Sequence, residues 1–422
     1  MSKIAKIHSL EILDSRGYPT IKAKVYLENG VWGGASVPAG ASKGKSESTE
    51  LRDGDTRRYQ GKGVKKAISI INTRIQRLLK GVDINLMREI DNKMIESDGT
   101  KTKSDMGANT ILAVSLACAR AGALQNQKPL HQHIREVYGL GFKDYQLPLP
   151  MINIINGGKH ADSRTNIQEY MIIPKADKYS EIIRYGAEVF HQLKEILRAK
   201  GLSTGVGDEG GYAPHFESNE MPFQLILEAV SQANMTAGEQ ITLGIDAAAD
   251  NFYNQEQKKY FLELENSSLT SEQLAALYSE WANKYPIISV EDGLAEEDLD
   301  GWALLNSKLG NNILVVGDDL FVTDQERLKI GVAKSLANAI IIKPNQVGTL
   351  TETIDCVQLA QANKFKVIVS NRSGETCDNF IADLAIAVKA DFIKTGSMCR
   401  GERISKYNRL LEIEEELTQN EG

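Results

Sequence analysis

Short apolar segments that each end at a polar residue suited to catalysis recur through the second half of the chain. The segments and their polar residues are ITLGI with Asp246, PIISV with Glu291, ILVVG with Asp318, AIII with Lys343, KVIVS with Asn371, Arg372 and Ser373, and ADFI with Lys394. Their spacing, 27 residues from 291 to 318 and 25 from 318 to 343, suits a strand, a crossover helix and two loops. Such connections make the strands parallel, with their C-terminal ends on one side. In a (β/α) barrel that side carries the active site.

Length and composition limit the classes of protein to consider. A chain of 422 residues predicts two domains, and a formal net charge of −7 argues against nucleic acid or an anionic membrane as the main partner. The four cysteines include no CxxC pair, which is typical of reduced thiols in a cytoplasmic protein. No apolar stretch reaches the roughly 18 residues of a membrane span, and the N-terminus has no signal-like apolar region. We therefore expect a cytoplasmic protein without a membrane span.

The N-terminal third has a different pattern from the rest and predicts an α+β unit. Its predicted elements are strands at 3–13 and 20–28, an irregular loop at 30–46, a helix from Val64 to Gly81, and an apolar helix at 109–125. Two prolines in the segment 145–150 predict a domain edge. The domain prediction is thus an α+β unit over 1–138 and a barrel over 145–422. The acidic end of the chain, EIEEEL, predicts a solvated helix face.

Asp246, Glu291 and Asp318 follow three successive predicted strands. One acid after a strand is most often a helix cap or loop residue, but three in register would repel one another unless a cation lies between them. Oxygen ligands favour Mg²⁺ or Mn²⁺ over Zn²⁺. The pattern therefore predicts a divalent metal site at the strand ends.

Two lysines and an arginine end later strands. Either lysine alone would most often form a salt bridge, but burial beside a metal disfavours the ammonium form, which makes Lys343 and Lys394 candidates for a general base. Arg372 and Ser373 offer a planar guanidinium and a hydroxyl, which suit a phosphate group.

Two glycine-flanked loops carry further polar groups. Glu209 lies in GDEGG, where a carboxyl group can come close to a ligand, and His160 follows Asn-Gly-Gly. A lone histidine is more often structural than catalytic. The histidines form no HxxxH or HExxH pattern, which argues against zinc.

Taken together, the motifs closely resemble the enolase family. They include EILDSRGYPT near the start, PAGASKG at 38–44, GANTILAVSLA at 107–117, MINIINGGKHAD at 151–162, IQEYMIIP at 167–174, GDEGGYAP at 207–214, SVEDGL at 289–294, GDDLFVT at 317–323, IIKPNQVGTL at 341–350, SNRSGET at 370–376 and IKTGSM at 393–398. The resemblance extends over nearly the whole chain. It implies an α/β fold: a modified (β/α)₈ TIM-like barrel, irregular in its early elements, with an N-terminal α+β capping domain.

The resemblance also implies an activity and roles for individual residues. The activity is that of a glycolytic hydro-lyase: reversible dehydration of 2-phosphoglycerate to phosphoenolpyruvate with two Mg²⁺ ions per site, the second arriving with substrate, in a homodimer or an assembly of dimers. The implied roles are Lys343 as base for the C2 proton, Glu209 as acid toward the C3 hydroxyl, Asp246, Glu291 and Asp318 as ligands of the first Mg²⁺, Ser42 near the second, Arg372 and Ser373 for phosphate, Lys394 for the substrate carboxylate, and His160, Gln168, Glu169 and Asn371 lining the site.

The sequence departs from the family pattern in a few places and leaves alternatives open. Asn371 stands where the family usually has a histidine, Tyr18 where it has asparagine, and Ala39 and Lys43 change the loop around Ser42. These differences keep open an enolase-derived binding or scaffold protein with weak activity. An acid-sugar dehydratase or racemase on the same barrel is a further alternative.

Overall fold

The structure of the protein, a computed structural model, describes residues 2–40, 44, 46–142, 144–161 and 163–420. In chain order, its strands are β1 (Ile4–Leu13), β2 (Pro19–Leu27), β3 (Trp32–Ser36), β4 (Leu149–Pro150), β5 (Ile152–Asn156), β6 (Glu169–Pro174), β7 (Ile241–Asp246), β8 (Tyr253–Asn254), β9 (Lys259–Leu262), β10 (Ser267–Leu269), β11 (Ile287–Glu291), β12 (Leu314–Gly317), β13 (Ala339–Ile342), β14 (Lys366–Ser370) and β15 (Phe392–Lys394).

The helices alternate with these strands over most of the second half. They are α1 (Lys65–Ile70), α2 (Gln76–Leu79), α3 (Met87–Asp98), α4 (Ala108–Gln125), α5 (Leu130–Tyr138), α6 (Tyr179–Ala199), α7 (Met221–Gln232), α8 (Ser271–Lys284), α9 (Leu299–Leu309), α10 (Gln325–Lys334), α11 (Pro344–Val347), α12 (Leu350–Ala362), α13 (Phe380–Ala387) and α14 (Gly401–Asn420). A π-helical turn at Ile71–Ile75 joins α1 to α2, and 3₁₀ turns lie at Tyr59–Gly61, Gly158–His160 and Ala249–Phe252.

The N-terminal sheet is antiparallel, in the order β1, β2, β3. The first two strands agree with the predicted ones to within a residue at each end. The predicted irregular loop at 30–46 is wrong for β3. Glycine weakens the strand signal there because Gly33 packs on the backbone of α4, where an added Cβ would lie 2.2 Å from the nitrogen of Ala121.

The predicted N-terminal helices are both present. The helix expected from Val64 to Gly81 is formed by α1, the π-turn and α2, and Gly81 follows it with a φ of +83°. The apolar helix predicted at 109–125 is α4, which is buried over nearly its whole length. A helix that is apolar on all sides must be covered on all sides. β2, β3 and α5 pack against α4, as does α11 from the barrel.

The second half forms a nearly closed barrel, with strands in the order β4-β15-β14-β13-β12-β11-β7-β6-β5. From β7 through β4 the neighbours are parallel, whereas β6 is antiparallel to both β5 and β7. Only Met151 separates β4 from β5, so one segment reaches both ends of the sheet. The predicted fold, an α/β modified TIM-like barrel with an N-terminal α+β unit, is confirmed.

The barrel is packed rather than open along its axis. Met151 and residues of β6, β12, β13 and β14 form a buried apolar cluster, consisting of Met151, Met171, Ile173, Val316, Ala339, Ile341 and Ile368. Leu149 of β4, Ile288 of β11, Leu314 of β12 and Phe392 of β15 pack against it, as expected for a filled barrel interior.

Leu149 and Pro150, at the predicted domain edge, form the barrel strand β4. One local prediction needs correction. The acidic end is only partly a solvated face, because the Glu414 carboxylate accepts hydrogen bonds from the backbone nitrogens of Tyr179 and Ser180 at 2.5 and 3.0 Å. It thereby satisfies donors at the start of α6. Within the described residues, no helix is long and apolar enough to cross a membrane.

Candidate active site

Strand register brings acidic side chains together at one end of the barrel. Asp246, the last residue of β7, pairs with Glu291 of parallel β11 and with Glu169 of antiparallel β6. Because β6 runs in the opposite direction, its first residue lies level with the last residues of its neighbours. Ser370 pairs with Lys394 in the same way.

These strand ends open into a cavity of about 480 Å³. The predicted site residues that line it are His160, Gln168, Glu169, Glu209, Asp246, Asp318, Lys343, Asn371, Arg372, Ser373 and Lys394. Glu291 is fully buried, and its carboxylate contacts Lys394, which lines the cavity. Ser42, like the altered Lys43, falls outside the described residues. Ala39 is described, and its backbone pairs with Gly374, next to the phosphate-binding candidates.

Lys394 is the centre of a buried ion cluster. Its Nζ lies 2.9 Å from both carboxylate oxygens of Glu291, 3.0 Å from Oδ2 of Asp246 and 3.1 Å from Oε2 of Glu169. Burial alone would lower the pKa of Lys394, but the surrounding carboxylates outweigh it and raise the pKa well above its ordinary value. Burial and neighbouring Asp246 raise the pKa of Glu291 well above its usual range. The cluster therefore holds one positive charge among several crowded negative ones.

Lys343 forms a second ion pair beside the first. Its Nζ contacts Oδ2 of Asp318, and Nε2 of Gln346 donates to Oδ1 of the same carboxylate at 2.9 Å. The sequence led us to expect a disfavoured ammonium form for Lys343. Burial does act in that direction, but Asp318 outweighs it and the pKa of Lys343 is raised. The same contact lowers the pKa of Asp318 against the opposing effect of burial.

The GDEGG loop brings Glu209 into the cavity, where a carboxylate oxygen lies within 4.8 Å of ligand atoms of His160 and Glu169. Gly210 has a φ of +88°, and an added Cβ would lie 2.9 Å from the carbonyl oxygen of Cys399, so this loop requires glycine. The backbone oxygen of Glu209 accepts from Ser397 at 2.9 Å. Burial alone would raise the pKa of Glu209, but His160 and nearby cations lower it to about 2. Glu209 is thus a carboxylate in this state.

Several polar atoms around this loop are buried without a hydrogen bond inside the described part of the chain. They are Oε2 of Glu209, Oε1 of Gln168 and Oδ1 of Asn371. The amide of Asn371 donates to Oε1 of Glu209 at 3.3 Å and to the carbonyl of Arg372 at 3.0 Å. Buried polar atoms without partners are costly, so this arrangement suits a site that binds a polar ligand.

His160 and Gln168 complete the wall on this side. Nδ1 of His160 lies 3.2 Å from Oε1 of Glu169, and Nε2 of Gln168 donates to Asp246 at 3.4 Å. Burial alone would lower the pKa of His160, but Glu169 and the carboxylates nearby outweigh it and raise the pKa. The candidate acid and the ion cluster thus share one electrostatic environment.

Arg372 is buried at the edge of the cavity next to Ser373. Nη1 and Nη2 of Arg372 donate to the two carboxylate oxygens of Glu47 at 3.0 and 3.1 Å, and Nη1 also donates to Asn345 at 3.2 Å. The loop is fixed from behind by Arg403, which donates to the carbonyls of Arg372 and Ser373 at 2.6 Å each. The guanidinium therefore has a defined orientation toward the cavity.

Sequence reasoning missed three acidic residues at this site. Both carboxylate oxygens of Asp292 accept backbone N–H groups, from Asp318 and Asp319, at 2.9 Å. Asp292 thus positions the loop that carries Asp318, and burial together with Asp319 raises its pKa well above its usual range. Burial also raises the pKa of Asp319 to about 7. The pairs of adjacent acids in VEDG and GDDL could have indicated Asp292 and Asp319 from the sequence. No sequence pattern indicated Glu47.

The donor set fits a divalent cation. Ligand atoms of Asp292, Asp318 and Asp319 lie within 4.8 Å of one another, and so do those of a second group, His160, Glu169 and Glu209. The predicted ligands Asp246 and Glu291 instead surround the ammonium of Lys394, while Asp318 binds Lys343. The lysine ammoniums stand where carboxylates converge, which is where a cation would bind. This carboxylate cluster could hold a metal.

Comparison with known protein families agrees with this geometry. The family model described as "Enolase, C-terminal TIM barrel domain" matches residues 144–421, and the one described as "Enolase, N-terminal domain" matches residues 4–134. The chain belongs to the enolase family. Enolase membership indicates an enzyme of the lyase class that acts on a small molecule, and the cavity at the barrel mouth is its candidate active site.

Proposed function

We propose that this protein catalyses the reversible, Mg²⁺-dependent dehydration of 2-phosphoglycerate to phosphoenolpyruvate in glycolysis. The observation that carries the proposal is that a candidate base, Lys343, and a candidate acid, Glu209, line the same cavity as the cationic groups Arg372 and Lys394. An anionic substrate held by those cations would have groups for proton removal and for protonation within one site.

Substrate binding would depend on the cationic strand-end residues. The fork of the Arg372 guanidinium and the hydroxyl of Ser373 suit a phosphate, which accepts several hydrogen bonds at once. Lys394 would bind the substrate carboxylate in the position where it now meets Glu169, Asp246 and Glu291. His160, Gln168 and Asn371 would contact the remaining polar groups. The unsatisfied atoms of Gln168 and Asn371 support this role.

Lys343 would remove the C2 proton in its neutral form. Its contact with Asp318 favours the ammonium form in this state. When bound, Mg²⁺ held by Asp246, Glu291 and Asp318, with a second ion near Ser42, would neutralise charge that accumulates on the substrate carboxylate. Asp318 would then be engaged as a ligand and would favour the Lys343 ammonium less strongly.

Glu209 would deliver a proton to the departing C3 hydroxyl. It is ionised here because cations and His160 lower its pKa to about 2. An anionic substrate bound by Lys394 and Arg372 would offset part of that positive field and raise the pKa. The acid role therefore follows substrate binding.

We also propose the domain limits 1–138 and 145–422, a cytoplasmic location, and a homodimer or an assembly of dimers. The family resemblance supports these proposals. Light scattering of the purified protein tests the assembly directly.

The central test is phosphoenolpyruvate formation from 2-phosphoglycerate by purified protein. We expect turnover of roughly 10 s⁻¹ or more with Mg²⁺ and none after chelation. The absence of product would contradict the proposal and favour a binding or scaffold role. Dehydration of sugar acids instead, in the same substrate panel, would favour the related dehydratases.

A further inference from the structure

A buried acid pairs with the guanidinium assigned to the substrate phosphate. The two oxygens of Glu47 accept from Nη1 and Nη2 of Arg372 at 3.0 and 3.1 Å. Both side chains are nearly inaccessible, at 5% and 6% exposure. Glu47 also lines the active-site cavity. The pair is bidentate, the arrangement in which arginine binds carboxylate and phosphate alike.

The orientation of Arg372 does not depend on Glu47 alone. Asn345 accepts from Nη1 of Arg372 at 3.2 Å, and Glu375 accepts from its backbone nitrogen at 3.2 Å. The residue's carbonyl is held by Arg403. Removal of the Glu47 charge would therefore leave the guanidinium in place but without its bidentate anion.

Hydrogen bonds hold the backbone around Glu47 in place, so the position of its carboxylate depends on the side-chain rotamer. The backbone nitrogen of Glu47 donates to the carbonyl of Gly44 at 3.1 Å, and the nitrogen of Gly44 donates to Oε1 of Glu47 at 3.2 Å. The next residue, Ser48, donates from its backbone to the carbonyl of Gln346 at 2.9 Å. A rotation of the Glu47 side chain alone would free the fork of Arg372.

We propose that Glu47 is an internal competitor of the substrate phosphate and determines the specificity of Arg372. This inference rests on the proposed function, because it takes Arg372 as the phosphate-binding group. A ligand competes better with the Glu47 carboxylate for the guanidinium as its negative charge increases. A phosphate dianion therefore displaces Glu47 more readily than a ligand that offers only one carboxylate. Glu47 thereby lowers affinity for all anions and favours phosphorylated ones.

The test is direct binding of inorganic phosphate by isothermal titration calorimetry. We expect Glu47→Gln to bind phosphate about tenfold more tightly than the unmodified protein, since an internal anion and its charge-assisted bonds are removed. Glu47→Asp keeps the charge but shortens the reach, so an intermediate affinity is expected. Arg372→Gln should abolish binding. A purely structural role for Glu47 predicts the opposite direction, weaker phosphate binding in Glu47→Gln.

The matched control is Glu89→Gln, which removes the same charge from an exposed residue of α3. Glu89 pairs with Lys93 at 3.5 Å, so its loss should change phosphate affinity less than about twofold. Equal or weaker phosphate binding by Glu47→Gln, or no phosphate binding by either Glu47→Gln or the unmodified protein, would overturn the inference. The product assay separates the two proposals. Tighter phosphate binding without phosphoenolpyruvate formation would refute only the proposed function, and product formation with unchanged phosphate affinity would refute only the role of Glu47.

Discussion

Two regions of this molecule that bury charge handle it differently. One is the barrel mouth. The other, here called the seam, is the contact of α3, α4, α5 and the loop between α3 and α4 with α12, α13 and the loop before α13. At the seam, Arg120 donates to both oxygens of Asp378 at 2.7 and 2.8 Å, and Arg135 donates to the carbonyls of Ala387 and Ile386 at 3.0 and 2.8 Å. Each cation there meets acceptors that match its donors.

At the barrel mouth, like charges are crowded instead. Lys394 alone is shared by three carboxylates, and Asp292 and Asp319 lie beside Asp318. Local pairing at the seam favours one fixed arrangement, because each buried charge keeps its hydrogen bonds. Crowding at the mouth leaves the arrangement responsive to an added cation or anion. Removal of a charge should therefore affect chemistry and ligand response at the mouth, but only stability at the seam.

The largest effect should come from Lys343 at the mouth. Lys343→Ala should lower kcat for phosphoenolpyruvate formation by about 10³-fold or more, because the proposed base is lost. Lys343→Arg should be equally inactive, since a guanidinium keeps the charge beside Asp318 but does not release its proton. The seam control is Lys103→Arg, which keeps a cation beside Glu352 and should retain kcat. An active Lys343→Arg variant would contradict the assignment of the base.

The next largest effect should be on stability. It is measured by comparing Lys394 at the mouth with Lys103 at the seam. Lys394→Met leaves three facing carboxylates without their cation, and we expect the free energy of unfolding without metal to fall by about 3–5 kcal/mol. Lys103→Met breaks a single pair with Glu352. Urea unfolding with and without Mg²⁺ measures both variants. Mg²⁺ should restore more stability to Lys394→Met than to Lys103→Met, and equal restoration would contradict a cation site at the mouth.

The difference between the two regions also explains what the sequence could predict. The strand-end positions of Asp246, Glu291, Asp318, Lys343 and Lys394 follow from apolar runs and crossover spacing, which are local in sequence. Their pairing does not follow from spacing, because it depends on side-chain directions across the barrel. Sequence reasoning therefore expected a disfavoured ammonium form for Lys343, whereas Asp318 stabilises it.

Contacts between residues that lie far apart in sequence could not be predicted from local sequence patterns. Glu47 meets Arg372 across 325 positions, and β3 is defined by the approach of α4 to Gly33 rather than by a strand pattern. Glu169 reaches the mouth only because β6 runs antiparallel to β7. The resemblance to enolases implied that Glu169 lines the site and that the early elements of the barrel are irregular. Composition and periodicity indicated neither.

A smaller effect is expected at Asp91, the seam residue that departs from the matched pattern. Its Oδ2 accepts from the backbone nitrogen and the hydroxyl of Thr351 at 3.0 and 2.7 Å, while burial raises its pKa to about 6. A raised carboxyl pKa means that the folded protein binds the proton more tightly. Burial of the ionised Asp91 carboxylate therefore destabilises the folded protein above about pH 6. This destabilisation is relieved as the pH falls toward 3.8, the ordinary pKa of the carboxyl group in the unfolded chain.

Asp91→Asn keeps an acceptor for Thr351 and has no charge to bury. Its unfolding free energy relative to the unmodified protein should rise by up to about 3 kcal/mol between pH 4 and pH 7. Urea unfolding at several pH values measures this difference. Glu96→Gln, which removes an exposed acid from the same helix, is the matched control for the loss of a charge that is not buried. If the difference in unfolding free energy between Asp91→Asn and the unmodified protein did not change with pH, the buried carboxylate would not be destabilising at the seam.

The smallest effect should come from Asn371, the residue at the mouth that departs from the family pattern. Its side-chain nitrogen reaches Glu209 only at 3.3 Å, and its oxygen has no hydrogen-bond partner within the described residues. A histidine there adds a donor that can carry a charge near neutral pH. Asn371→His should raise kcat by several-fold but less than about tenfold, because it assists Glu209 without replacing it. Asn371→Gln, which lengthens the amide without adding a titratable group, should bring no gain. A kcat for Asn371→His at or below that of the unmodified protein would mean that the amide is already suited to this mouth, and that its difference from the family does not limit the rate.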